Sequence, residues 1–249
     1  MKEILQTSIP YDFRSPKALP GIAPIGNEGW LHQDEAFAEQ VAYREELLTH
    51  KRDRVLALDD QALPAAVELL DDVLAQVYPG QGGQVRRRDG VMVSIDRSDP
   101  LGTLGRIVQE DFCILQKQGD EHILTGAVLC FPASWTLSEK FMRPLIAIHD
   151  TVNEYDDGIA KRVQRLFDGV KSDRPIWRFN ALWYVDPDLY QPRSVHDRRR
   201  KPEPTKASYF RSERQCIRRL PQSDAVVFSI HTYILAQKDA PNGESSATR

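Results

Sequence analysis

DFCILQK at 111–117 and HILTGAVLCF at 122–131 decide the fold class. Both runs are short, rich in β-branched and aromatic residues, and parted by a polar turn holding Gly119 and Asp120, which is the pattern of two strands meeting at a turn. VMVSI (91–95) reads as a strand before them, and IWRFNALWYV (176–185), Ser208–Arg211 and Ala225–Leu235 read as strands after them. Helical spacing appears upstream, from Gln33 with Phe37, Val41, Leu47 and Leu48, and again over Ala62–Val77 with Val67, Leu70, Leu74 and Val77. Strands adjacent in sequence, with helices gathered before and between them, predict an α+β fold with a largely antiparallel sheet and flanking helices. One domain over residues 1–237 and a disordered tail over 238–249 are expected, the tail because it is polar.

Four prolines and three glycines among residues 1–30 argue against regular structure and for an extended, ordered arm wrapping the domain. The loop with Gly80, Gly82 and Gly83 follows a helix, whereas a phosphate-binding loop follows a strand, so it reads as a connector. Thr136 and Glu139 have the spacing of a capping box before FMRPLIAIH, and Pro144 should kink that helix or start a fresh one. His149 falls near its end, and Tyr155, Ile159, Val163, Leu166 and Phe167 mark a further amphipathic helix. The polar, proline-bearing stretch from Asp186 to Lys206 reads as a solvated excursion.

Thirty-three Lys plus Arg against 36 Asp plus Glu leave a net charge of −3, which gives no global field for polyanions and argues against nucleic acid as a partner. Cys113, Cys130 and Cys216 are too far apart in sequence for a disulfide framework, a redox pair or a cysteine-ligated metal. With no signal-like start and no run near the roughly 20 apolar residues of a membrane span, the chain reads as cytoplasmic, with no membrane association. No GxGxxG, GxxxxGK[ST], HExxH or GxSxG motif is present.

One residue stands out chemically. His149 lies beside the apolar Leu145 and Ile148, where an imidazole either finds hydrogen-bond partners in a core or binds something. A heme needs only one protein ligand, because the porphyrin supplies four nitrogens itself.

Four blocks in order then resemble the heme-dependent oxidative N-demethylase family. They are PGIAPIGNEGWLHQDEAF (20–37); LTGAVLCFPASWTLSEKFMRPLIAIHDTV (124–152); WRFN (177–180); and RSERQCIRRLP (211–221) followed by AVVFSIHTY (225–233). The resemblance runs from about Tyr11 to Leu235 and is interrupted by HDTVNE after Ile148 and by Ala181. It implies a PAS-like fold holding heme b, with His149 as the proximal iron ligand. The implied activity is demethylation of a small secondary alkylamine such as dimethylamine with O2, releasing formaldehyde. The chain carries no dinucleotide fingerprint or cysteine cluster of its own, so electrons are expected from a separate flavin and iron–sulfur reductase. Glu213 and Arg178 are the catalytic candidates; Arg143, Arg178 and Arg214 are candidates for the heme carboxylates, since a guanidinium fork matches a carboxylate. Trp135 is a candidate for the apolar heme wall. In RSERQ, strand alternation places Arg211 and Glu213 on one face and Arg214 on the other. The alternative reading is a heme-binding sensor or carrier of the same fold that does not turn over amines.

Overall fold

A computed structural model describes residues 2–13, 21–26, 29–149, 157–197 and 207–240, the side chains of 149 and 157–161 excepted. Its centre is a seven-stranded sheet in the order β1-β7-β8-β9-β5-β6-β2, and every neighbouring pair is antiparallel. The strands are β1 (Ala23–Pro24), β2 (Leu56–Leu58), β5 (Asp111–Gln118), β6 (Glu121–Val128), β7 (Ile176–Tyr184), β8 (Tyr209–Arg219) and β9 (Val226–Ala236). β3 (Gln84–Arg86) and β4 (Met92–Ser94) form a separate hairpin. The two runs that predicted a hairpin are β5 and β6, paired from Phe112↔Val128 to Gln118↔Glu121.

Side chains alternate across each strand, so the two sheet faces carry different residues and different covers. One face holds Phe112, Ile114, Cys216 and Val227; it packs against α1 (Phe37–His50), α3 (Leu63–Val77) and α4 (Pro100–Ile107) in the larger apolar cluster. The other holds Cys113, Leu115, Ile217 and Ile230 and is covered by α5 (Leu137–Lys140), α6 (Leu145–His149) and α7 (Asp157–Gly169). A short α2 (Arg52–Val55) links α1 to β2. α3 begins with Pro64 in its first turn, where a missing N–H costs nothing.

The N-terminal arm is ordered against the sheet. The Gln6 N–H donates to the Ile234 carbonyl at 2.9 Å, and its side-chain oxygen accepts from the Ile234 N–H at 2.8 Å. His231, 1 % exposed, lies between Asp34, just after the arm, and Glu110, just before β5, 3.0 Å from each. Burial opposes charge on this imidazole, but the two carboxylates outweigh it and raise its pKa to about 9. The Asp34 carboxyl, also opposed by burial, is drawn down to about 2 by His231, Gln109 and Gln6.

Four expectations need correction. The Thr136/Glu139 capping box does not form: the Thr136 hydroxyl donates to the Arg193 carbonyl at 2.9 Å, while Glu139 accepts from Ser194 and from the Val195 N–H. Both side chains anchor a distant loop instead, because that loop carries backbone groups needing partners. The same contacts mean that Asp186–Asp197 is a docked loop rather than a solvated one, with Leu189 buried; residues 198–206 lie outside the described residues. The strand expected at Ser208–Arg211 extends to Arg219. Ala240 is buried with Phe210 and Leu235, so the chain is still packed two residues beyond Lys238. Pro144, as expected, separates α5 from a fresh helix, α6.

Candidate active site

β8 has the composition of a surface segment, RSERQCIRR, yet Arg211, Ser212, Glu213 and Arg214 are all buried. Such burial is tolerated only where each charge meets fixed partners. Arg214 projects with Cys216 and donates to the Gly29 carbonyl (2.8 Å), the Trp30 carbonyl (3.2 Å) and the Cys216 sulfur (3.0 Å). Its guanidinium also stacks over Trp177 at 5.0 Å. This arginine therefore clamps the arm, on the sheet face away from Glu213.

Arg211 and Glu213 project with Ile217 toward the side covered by α5–α7. Arg211 donates to the Phe131 carbonyl at 2.7 Å, the Leu189 carbonyl at 3.1 Å and Glu213 Oε1 at 3.3 Å. Glu213 Oε2 accepts from Asn180 at 3.1 Å and from Gln215 at 3.2 Å. The register explains the Asn180 contact, since Asn180 and Glu213 are directly opposed on β7 and β8.

These groups line a cavity of about 230 Å³ bounded by Ala133, Ser134, Asn180, Leu182, Tyr184, Arg211 and Glu213. It is smaller than the roughly 300–1,000 Å³ of typical ligand sites and suits a small molecule. The loop at 131–134 is held there from several directions. Asp111 accepts from the Cys130 and Phe131 N–H groups, Arg211 holds the Phe131 carbonyl, and Ala133 and Ser134 pair with Gln191.

Arg178 lies between Ile176, which packs with the α7 side, and Asn180 at the cavity; the three share a face by alternation. Its Nε is buried with no hydrogen-bond partner among the described residues. Burial pulls the guanidinium below its ordinary pKa, and the Glu213 charge draws it back in part. Trp135 packs in the apolar cluster under the helices, with the Lys140 ammonium 4.6 Å from its ring centroid. Burial lowers the Lys140 pKa to about 8. Leu145 and Ile148 of α6 join the same cluster. Arg143 is exposed in the turn before α6. α6 ends at His149, whose side chain lies outside the described residues, as does 150–156.

The structure thus brings Glu213 and Arg178 to the sheet face that α6 covers, seats Trp135 in the apolar cluster under the helices of that face, and places Arg214 behind the sheet and Arg143 at the surface. Arg211, Asn180 and Ser134 complete the cavity; all three fall within the blocks that carry the resemblance but are not singled out there, and the Asn180 contact becomes legible only once the β7–β8 register is known. Among the described residues no three His, Cys, Asp or Glu side chains gather to hold a metal ion. No helix among them is long and apolar enough to cross a membrane.

A family model described as "Haem-dependent oxidative N-demethylase, alpha subunit-like" matches residues 21–247. The chain belongs to this family. Its name carries heme dependence and oxidative N-demethylation at a coarse level. The residues present fit such a group: a half-buried guanidinium at Arg178, its Nε without a partner among the described residues, would meet a heme carboxylate, and the cluster of Trp135, Leu145 and Ile148 would wall an apolar ring.

Proposed function

We propose that the chain binds one heme b through His149 and, with O2 and two electrons from a separate reductase, removes a methyl group from a small secondary ammonium ion. For each methyl group removed, the balance consumes one dioxygen, two electrons and two protons, and it releases the demethylated amine, one formaldehyde and one water. The observation carrying this reading is the buried Glu213 carboxylate lining a small cavity on the sheet face that α6 covers.

Heme, when bound, would supply the centre at which oxygen is activated; the side chains do the rest. An alkylammonium ion loses hydration on entering the cavity, and the Glu213 charge offsets that loss. A carboxylate offers about four lone-pair positions. Asn180 and Gln215 occupy both on Oε2, and Arg211 occupies one on Oε1, leaving one position on Oε1 for a substrate N–H. Arg211 is the positioning residue, since it ties this carboxylate to the 131–134 loop. Arg178 would pair with a heme carboxylate, and the apolar residues around Trp135 would exclude water.

The test is spectroscopic and then catalytic. The purified protein should show a Soret band that His149→Ala abolishes or greatly weakens, and with a reductase it should release formaldehyde from dimethylamine. Full heme retention and an unchanged ferric spectrum in His149→Ala would remove His149 as the ligand. Heme binding without formaldehyde release would mark a carrier or sensor instead.

A further inference from the structure

Ser134 occupies an unusual place in this cavity. Its backbone φ is +65°, in the left-handed region that a side chain with a Cβ rarely adopts. The conformation is held from both sides, by the Ser134 N–H donating to the Gln191 carbonyl at 3.0 Å and by the Ala133↔Gln191 bridge. The result places a hydroxyl in the cavity wall whose Oγ is buried and has no hydrogen-bond partner among the described residues. A buried hydroxyl without a partner is costly, so an orphan on a residue that lines a ligand-sized space marks a contact that a ligand can complete.

The Glu213 lone pairs sharpen the point. Only one acceptor position on that carboxylate is open, whereas a secondary ammonium ion carries two N–H donors. The second donor needs another acceptor in the same cavity. The Arg211 guanidinium has donors only and the Asn180 Nδ2 donates to Glu213, so the wall's side-chain acceptors include the Asn180 Oδ1 and the Ser134 Oγ. The buried Ser134 Oγ, partnerless among the described residues, gains more from a new bond.

We propose that Ser134 is a specificity residue whose Oγ accepts the second N–H of the substrate, so that the site distinguishes secondary from tertiary ammonium ions. This rests on the amine reading of the cavity. A tertiary ammonium ion has one N–H, which Glu213 takes, and a third alkyl group that would face the Ser134 hydroxyl and leave it unpaired. A site built to hydrogen-bond a substrate group discriminates through the polar atom left unsatisfied by an analogue.

Calorimetric titration of the purified holoprotein with dimethylammonium and trimethylammonium chloride reads this directly. Ser134→Gly removes the hydroxyl and also suits the positive φ, so it should fold at least as well as the parent; Ser134→Ala is the second variant. Both should bind dimethylammonium about tenfold to a hundredfold more weakly, the loss of one hydrogen bond to a charged group, with trimethylammonium affinity unchanged or improved. Equal weakening for both ions, or no change for either, would overturn the role of Ser134. If the parent binds dimethylammonium and Glu213→Gln abolishes binding while the Ser134 variants do not, only the Ser134 role falls. If the parent binds neither ion, the amine reading itself is wrong and this assignment goes with it.

Discussion

Glu213 is an acid held on a sheet where almost all of its surface is covered, 6 % exposed, and only its neighbours make that tolerable. Three donors reach it from Arg211, Asn180 and Gln215. Glu213→Gln keeps the size and the Arg211 contact but removes the charge that would meet a cation. Because charge-assisted hydrogen bonds contribute about 1.5–3 kcal/mol, this variant should bind dimethylammonium roughly tenfold to a hundredfold more weakly. Heme content and circular dichroism should match the parent. An unchanged amine titration would place the carboxylate outside the substrate site and leave it as a partner of Arg211 alone.

At the scale of the elements, one buried ion pair joins α1 to the sheet beside their apolar contacts. Arg44 of α1 is fully buried and donates to Asp111 at the start of β5 at 2.5 Å, with further bonds to the Gly105 and Gln109 carbonyls. Asp111 in turn receives the Cys130 and Phe131 N–H groups and so fixes the chain as it leaves β6 toward the cavity. Breaking a buried pair by removing one partner strands the other charge, at about 3–5 kcal/mol. Arg44→Met should therefore lower the denaturant midpoint by an amount equivalent to several kcal/mol. A loss below about 1 kcal/mol would mean that Asp111 finds compensation elsewhere. Since Asp111 also seats the 130–134 loop, the variant should weaken amine binding even where it remains folded.

For the molecule as a whole, the segment that follows the arm is joined to the sheet through His231 between Asp34 and Glu110. The folded pKa of about 9 stands above the ordinary value of 6.5, so folding favours the protonated ring. Its contribution is then full below pH 6.5 and declines as pH rises toward and through 9, amounting to roughly 3 kcal/mol at most. The melting temperature should fall across pH 6.5 to 9, and His231→Gln should flatten that part of the profile while lowering stability at pH 6. Equal slopes in the parent and the variant would show that the ring is neutral in the folded protein.

The sequence by itself determined the antiparallel α+β class. Short apolar, β-branched and aromatic runs at 111–131, 176–185 and 225–235, parted by turns, bury themselves as the strands of a sheet covered on both faces, and β5, β6, β7 and β9 follow them closely. It also determined that Arg211 and Glu213 share a face and Arg214 does not, because side chains alternate along any strand. The length of β8 was not legible, since RSERQCIRR is polar. Its burial depends on carbonyls at Gly29, Trp30, Phe131 and Leu189 that only the folded chain brings near. The Thr136 and Glu139 contacts were hidden for the same reason: a local cap and a distant loop compete for the same side chains, and the loop prevails here. Ser134 lay furthest from view. No periodicity marks a residue whose left-handed backbone and unpaired hydroxyl arise from the docking of Gln191 and the clamp of Arg211 on neighbouring backbone. Tertiary structure decided the cavity because its walls come from β7, β8 and the loop after β6, and no local pattern encodes their meeting.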